Sequence, residues 1–188
     1  MEALLTSFIA AALAEYGDKT QLLTVALVAS CRRPWPVLAG LAAAALTSSL
    51  VAAYAGQLIH ASIVLRAASL FLALALLYAG VAGLIGNKPP KPVIAGRMPV
   101  ALVAFICLLA SEMGDKTQFL TAALAAQYDS LLLAGFGATA GVLAANIPVL
   151  VLGDAFTDRV PLRAIRIGAA MLFLLGGAVV AVNALRLV

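Results

Sequence analysis

The sequence predicts an all-α integral membrane protein with six transmembrane helices, arranged as two inverted repeats of three helices each. Three observations predict this fold class. Of the 188 residues, 64% are hydrophobic and 11% are charged, whereas ordinary soluble domains are about 25% charged. The apolar residues form six runs that can each cross a bilayer, which takes roughly 20 residues. A stretch at 15–29 also recurs at 112–126 with 11 identities, which indicates duplication.

Turn signals between the apolar runs place the six helices in order. Their approximate ranges are 3–30, 35–58, 63–85, 98–126, 130–153 and 162–187. The segment 87–97 is rich in proline, which cannot continue a helix, and it is predicted to link a first repeat at 1–86 to a second at 98–188. Because three is an odd number of spans, the second repeat enters the membrane from the opposite side. This is the inverted-repeat arrangement of many secondary transporters.

The basic residues predict the orientation of the chain. Two of them, Arg66 and Arg186, lie on one side of the predicted membrane. Eight lie in the loops after the first, third and fifth helices: Arg32, Arg33, Lys88, Lys91, Arg97, Arg159, Arg163 and Arg166. Cytoplasmic loops are enriched in Lys and Arg, so these three loops are predicted to be cytoplasmic and both termini to lie outside. The pI near 9.4 then reflects the loops and not nucleic-acid binding.

Two hexapeptides interrupt the apolar character of the first and fourth helices. They are EYGDKT at Glu15–Thr20 and EMGDKT at Glu112–Thr117. Each places two acids and one base near the middle of the membrane, where an ionisable side chain costs roughly 2.5 to 3.5 kcal/mol on insertion scales. Six such groups are tolerated only if they face one another, so the two motifs predict a functional site.

The acids of the two motifs are the candidate ligands of that site. Residues three apart share one face of a helix, so Glu15 and Asp18 are expected to point together, as are Glu112 and Asp115. If the two helices cross, four carboxylates converge. Carboxylate oxygens suit Ca²⁺ and Mn²⁺, and the absence of Cys or His from the motifs disfavours zinc or copper.

The lysines reduce the negative charge of the motifs. Lys19 lies four residues after Glu15, and Lys116 four after Glu112, so the spacing predicts that each pairs with its own glutamate when no ion is bound. Four acids and two lysines leave a charge of minus two, which one divalent ion would neutralise.

The other polar motif residues are predicted to support the site. Gln21 and Gln118 follow the aspartates by three positions and are predicted to act as metal ligands or as partners of the ligands. The remaining supporting residues are Thr20 and Thr117, which offer neutral oxygens, and Gly17 and Gly114. The glycines serve either close helix packing or local unwinding that frees carbonyl groups.

Carboxylates crowded in a medium of low dielectric cannot all remain ionised without a cation. Protons and a divalent cation therefore compete for the same oxygens, which predicts exchange with alternating access as the two halves rock. The alternative is an intramembrane aspartyl protease, which also uses Gly-Asp sequences on two helices. The adjacent Glu and Lys of each motif would crowd a proteolytic acid pair, so a transporter, and not an enzyme, is favoured.

The two hexapeptides resemble the signature E-x-G-D-[KR]-[ST], which occurs twice in a family of small membrane proteins. The family includes the Golgi-type manganese and calcium transporters and bacterial manganese exporters, and the resemblance covers the whole chain. It implies that Glu15, Asp18, Glu112 and Asp115 bind the cation and that Mn²⁺ or Ca²⁺ exchanges for protons. With no long acidic loop and no organelle-targeting segment, the chain resembles the bacterial plasma-membrane members, which implies manganese efflux. The implied partners are the cation, protons and the bilayer, without a cofactor, and a homodimer is left open.

Overall fold

The computed structural model describes residues 1–85, 98–152, 156 and 160–185. All regular structure in that part of the chain is helical. The eight helices are α1 Glu2–Glu15, α2 Lys19–Cys31, α3 Pro34–Ser62, α4 Leu65–Leu84, α5 Val100–Glu112, α6 Lys116–Tyr128, α7 Leu131–Leu152 and α8 Leu162–Leu185. The predicted linker at 87–97 lies outside the described residues.

Four of these helices, α3, α4, α7 and α8, are long and apolar enough to cross a membrane, with mean hydropathies between 1.8 and 2.2. Local sequence explains several helix ends. α3 begins at Pro34, which is favourable where no intrahelical N–H is needed. α2 and α6 end at Arg32 and Asp129, both left-handed, which is a common way to terminate a helix. The prediction of an all-α fold is confirmed for the residues that the structure describes.

The prediction of continuous first and fourth helices is wrong. The chain leaves the helical conformation between Glu15 and Lys19, and again between Glu112 and Lys116, so each predicted helix is two shorter ones. Gly17 and Gly114 have φ values of 70° and 72°, which only glycine adopts readily. The motif itself breaks each helix, as the unwinding interpretation of the glycines expected.

Contacts between helices repeat under an offset of 97 residues. A Cβ atom on Gly40 would lie 2.5 Å from the carbonyl oxygen of Ala101, and one on Gly137 would lie 2.3 Å from that of Leu4. Adding 97 to Gly40 gives Gly137, and subtracting 97 from Ala101 gives Leu4. Such reciprocal contacts are what a two-fold relation between the duplicated segments produces.

The helix pair α4 and α8 obeys the same relation. A Cβ on Gly80 would lie 2.6 Å from Cγ of Leu174, and one on Gly177 would lie 2.9 Å from Cγ of Leu77. These positions also differ by 97. Close approach of small residues is how helices pack in lipid, and here it joins α4 to α8.

The short helices associate as two groups. The hydroxyl groups of Thr6 on α1 and Tyr128 on α6 are 3.4 Å apart, so these two helices lie side by side. Leu27 on α2 and Ala104 on α5 belong to one buried cluster. The pair α4 and α8 packs against the first group through a second cluster: Ala10, Ala14, Leu72, Ala75, Ala79, Leu120, Ala123, Leu124, Ala169 and Phe173.

Candidate cation site

The two helix breaks have the same local construction. In each, the glycine is left-handed and the aspartate is extended and occupies the N-cap of the next helix, a position that aspartate favours. The Gly17 N–H donates to Oε1 of Gln21 at 2.8 Å, and the Gly114 N–H donates to Oε1 of Gln118 at 2.9 Å. The glutamines therefore satisfy backbone groups that the break would otherwise leave unpaired.

Three of the four predicted acids come together. Carboxylate oxygens of Glu15, Asp18 and Asp115 lie within 4.8 Å of one another. Glu15 is fully buried and Asp18 is 4% exposed. Oxygens on opposite sides of a Ca²⁺ ion lie about 5 Å apart, so the spacing suits one cation. The second oxygen of Glu15, Oε2, is buried without a hydrogen-bond partner, which leaves a lone-pair site for a cation or a proton.

The fourth acid, Glu112, occupies a different position. It is 3% exposed, and its carboxylate lies beside the hydroxyl of Ser48 on α3. Its Oε1 atom is buried without a hydrogen-bond partner. The expectation of four converging carboxylates is thus met by three, since Glu112, the last residue of α5, lies beside Ser48 on α3 and outside the cluster.

The lysines pair across the repeats. Nζ of Lys19 lies 3.2 Å from Oδ1 of Asp115, and Lys116 pairs with Asp18. The predicted pairing of each lysine with its own glutamate is wrong, since the i,i+4 relation requires a continuous helix and the glycine interrupts it. Both ion pairs obey the 97-residue relation. They differ in burial, because the Lys116 side chain is 5% exposed and that of Lys19 is 43% exposed.

The threonines and glutamines take roles beside the carboxylates. The Thr117 hydroxyl donates to Oε1 of Glu15 at 2.9 Å, whereas the Thr20 hydroxyl lies 3.2 Å from that of Ser111. Nε2 of Gln21 donates to the Ala145 carbonyl at 2.7 Å. Nε2 of Gln118 donates to the related position, Ser48, at 2.9 Å. The glutamines thus connect each break to α7 and α3, and Thr117 orients Glu15.

The two breaks differ in what covers them. A cavity of about 420 Å³ opens onto the second break. It is lined by Val51, Ala52, Ala55, Tyr78, Met113, Gly114, Asp115, Gln118, Phe119 and Ala122. A Cβ added at Gly114 would meet no atom within 4 Å, whereas one at Gly17 would lie 3.0 Å from the Leu162 carbonyl oxygen and 3.3 Å from Cβ of Arg166. Asp115 therefore borders the cavity, while α8 covers the first break.

The prediction that Arg163 and Arg166 lie in a cytoplasmic loop is wrong. Both lie within α8, and Arg166, in its second turn, packs against Gly17. The repeat comparison holds the signal that could have found it, because the related position in the first repeat is Ser69 and the charge has no counterpart. Ser48 and Ser111, which contact motif residues, have no comparable signal in their own spacing.

The fold and site define a multi-pass membrane protein in which buried acids and bases from two related segments meet. The chain belongs to the family of the divalent cation/proton antiporter GDT1, whose family model matches residues 3–91 and 100–187. This confirms the family resemblance seen in the two hexapeptides, and it does not favour the protease alternative. The chain is 38% identical, over 179 residues, to a protein of Vibrio cholerae serotype O1 (strain ATCC 39541 / Classical Ogawa 395 / O395) named "Putative manganese exporter". The alignment covers 93% of this chain and 88% of that protein. No solved structure matches the chain.

Proposed function

We propose that the protein exchanges Mn²⁺ or Ca²⁺ for protons and that its task is the efflux of manganese from a bacterial cytoplasm. The observation that carries the proposal is the meeting of Glu15, Asp18 and Asp115 within 4.8 Å at a buried position. Acids from both repeats contribute, so one cation would bridge the duplicated segments. The bacterial relative named as a manganese exporter supports manganese as the ion.

The ion pairs suggest how the empty site remains stable. Lys116 and Lys19 neutralise Asp18 and Asp115, so the aspartates are not left as uncompensated charges. A divalent cation entering between the acids replaces the ammonium groups as their counter-charge. Glu15 keeps one buried oxygen without a partner, and it is our candidate for the group that carries a proton when the cation has left.

We place the remaining predicted ligands in supporting positions. We propose that Glu112, which lies beside Ser48, becomes a ligand when its side chain moves toward the cluster. Gln21 and Gln118 direct their carbonyl oxygens at the glycine amides, which supports a role in holding the breaks open. Thr117 orients Glu15, and Thr20 adjoins Ser111 across the repeats.

We further propose six spans in an inner membrane, with α1 and α2 forming one broken span and α5 and α6 another. α1 has 14 residues and a length of about 21 Å, too short to cross a hydrocarbon core of about 30 Å alone. The reciprocal contacts support an inverted repeat of 1–86 and 98–188. Setting aside Arg163 and Arg166, which both lie within α8, leaves six basic residues against two, and this ratio supports our proposal that both termini lie outside. The proposal requires only one chain.

The proposal is tested by reconstituting the purified protein into liposomes that contain a manganese-sensitive dye. With an imposed pH gradient, Mn²⁺ should move against the direction of proton flow. Glu15→Gln keeps the size of the side chain but removes its charge, and we expect it to lower the exchange rate at least tenfold. Parallel runs with Ca²⁺ give the ion preference.

The matched control is Glu2→Gln, the same substitution at an exposed position of the same helix. Its exchange rate should match that of the unmodified protein. Coupled exchange of both ions at an unchanged rate in Glu15→Gln would show that the acidic cluster is not the transport site.

A further inference from the structure

The position of α4 and α8 departs from the 97-residue relation, as the positions of Glu112 and Thr20 in the site also do. On α4, the hydroxyl of Ser69 donates to Oε1 of Gln127, close to the end of α6, at 3.1 Å. The related positions are Arg166 on α8 and Ser30, close to the end of α2. Arg166 instead packs on Gly17, at the opposite end of α2. The position of α4 and α8 relative to the other helices is therefore asymmetric.

The pair itself remains symmetric. Gly80 and Gly177 approach Leu174 and Leu77 in the same way. A further bond joins the two helices at one end, where Nε of Arg66 donates to the Ala184 carbonyl at 2.7 Å. The asymmetry therefore does not lie within the pair. The asymmetry lies in how the pair packs on the other helices. Such an asymmetry is expected when one rigid body can occupy either of two positions on another and occupies one of them.

The duplicated segments specify the second position. The pair now packs against α1 and α6, for example through Ala14 and Leu124. Exchanging the repeats maps α1 onto α5 and α6 onto α2. The following inference rests on the cation/proton exchange proposed above. We propose that α4 and α8 move as one unit between these two supports. In the present conformation Arg166 closes the side of the cation site that lies at Gly17. The moving unit is drawn from both repeats, in contrast to a rocking of one half against the other.

Arg166 has the chemistry of such a closing residue. Its guanidinium carries a permanent positive charge, which repels a divalent cation on that side of the site. It shares a small cavity of about 10 Å³ with Lys116, Ala14 and Gly83, and its Nε atom is buried without a hydrogen-bond partner. The Nε atom is held by packing and not by a hydrogen bond. Arg166 can therefore move away from Gly17 without breaking a hydrogen bond at Nε. In the exchanged position Arg166 lies near Ser30, and Ser69 takes the place over Gly114.

Two cross-links test the movement. Cys31 and Cys107 are first replaced by Ser, because both are free thiols. Ser69→Cys with Gln127→Cys then joins the unit to its present support, and a short bifunctional thiol reagent should lower exchange at least tenfold, with recovery on reduction. Arg66→Cys with Ala184→Cys joins α4 to α8 within the unit, and linking this pair should change exchange by less than twofold.

Measurements before cross-linking distinguish a failure of the proposed function from a failure of the proposed movement. If neither variant exchanges Mn²⁺ for protons before linking, while each still folds as judged by its thermal transition, the proposed function fails. If both variants exchange before linking, two results would contradict the proposed movement of α4 and α8. One is continued exchange by the linked 69–127 variant, and the other is loss of exchange in the linked 66–184 variant.

The role of Arg166 is tested by the reactivity of cysteines placed on the two sides of the site. A purely structural role would not change the reactivity on one side only. Ala14→Cys reports on the Arg166 side and Ala55→Cys on the open cavity. Combined with Arg166→Gln, the thiol at position 14 should react with a charged water-soluble reagent at least fivefold faster, with no change at position 55. Arg163→Gln, on the exposed face of the same helix, should leave both unchanged, and Arg166→Lys should restore protection. Equal reactivity at position 14 with Arg, Lys and Gln at 166 would overturn the assignment.

Discussion

At the scale of single residues, the two lysines show where sequence spacing succeeds and where it stops. The repeated hexapeptide correctly places Lys19 and Lys116 among buried acids. It does not identify their partners, because the spacing argument assumes that residues four apart stay on one helical face. A left-handed glycine between them removes that relation, and only the crossing of the two breaks brings each lysine to the aspartate of the other motif.

The different burial of the two ion pairs predicts different effects of removing the lysines. Lys116→Gln removes the ammonium group from a pair in which both side chains are 5% exposed, and it should lower the free energy of unfolding by about 3 kcal/mol. Lys19→Gln affects a pair whose lysine side chain is 43% exposed, so the loss should stay below about 1 kcal/mol. Denaturation in detergent without divalent ions measures both.

Adding Mn²⁺ provides a control for the comparison of the two lysine variants. A cation bound among the acids replaces the missing ammonium group, and ligand binding stabilises the folded state by mass action. Saturating Mn²⁺ should therefore raise the thermal midpoint of Lys116→Gln by more than it raises that of the unmodified protein. An equal rise in both would indicate that the lysine and the cation do not share Asp18.

At the scale of helices, the apolar runs predict the long elements well. α3, α4, α7 and α8 fall close to their predicted ranges, because length and hydropathy suffice to identify them. The broken helices were predicted as continuous because the apolar runs continue through both motifs. The composition of the motifs allowed unwinding, but a Gly-Asp step is also compatible with a packed helix, and the choice depends on tertiary partners such as Ser48 and the Ala145 carbonyl.

The two breaks provide a matched pair of glycine substitutions. Ala at position 114 must adopt a left-handed conformation, which costs about 1 to 2 kcal/mol, and meets open space. Ala at position 17 has the same backbone penalty, and its Cβ would also lie 3.0 Å from the Leu162 carbonyl oxygen. We expect Gly17→Ala to lower the free energy of unfolding by about 1 to 3 kcal/mol more than Gly114→Ala. Equal losses would mean that α8 does not rest on the first break.

At the scale of the whole molecule, duplication determines more than the fold. The offset of 97 residues relates the ion pairs, the glycine contacts and the glutamine bonds to Ser48 and Ala145. Sequence comparison could predict that relation but not where it fails, since the position of α4 and α8 depends on which of two supports they occupy. The mismatch of Ser69 and Arg166 is visible in the sequence, but their different contacts, with Gln127 and with Gly17, are visible only in the assembled structure.

The same arrangement predicts how cation binding depends on pH. A cation binds ionised carboxylates, so each bound ion must displace the protons that the empty cluster holds, and binding weakens as the pH falls. For each displaced proton, the apparent Kd should rise about tenfold per pH unit over the range in which that proton is bound. The slope of log Kd for Mn²⁺ against pH, obtained from thermal stabilisation in detergent, therefore counts the displaced protons. Glu15→Gln cannot release a proton from that side chain and should reduce the slope by up to one, while Glu2→Gln should leave it unchanged. A slope of zero in the unmodified protein would exclude competition between protons and the cation, and with it exchange through this cluster.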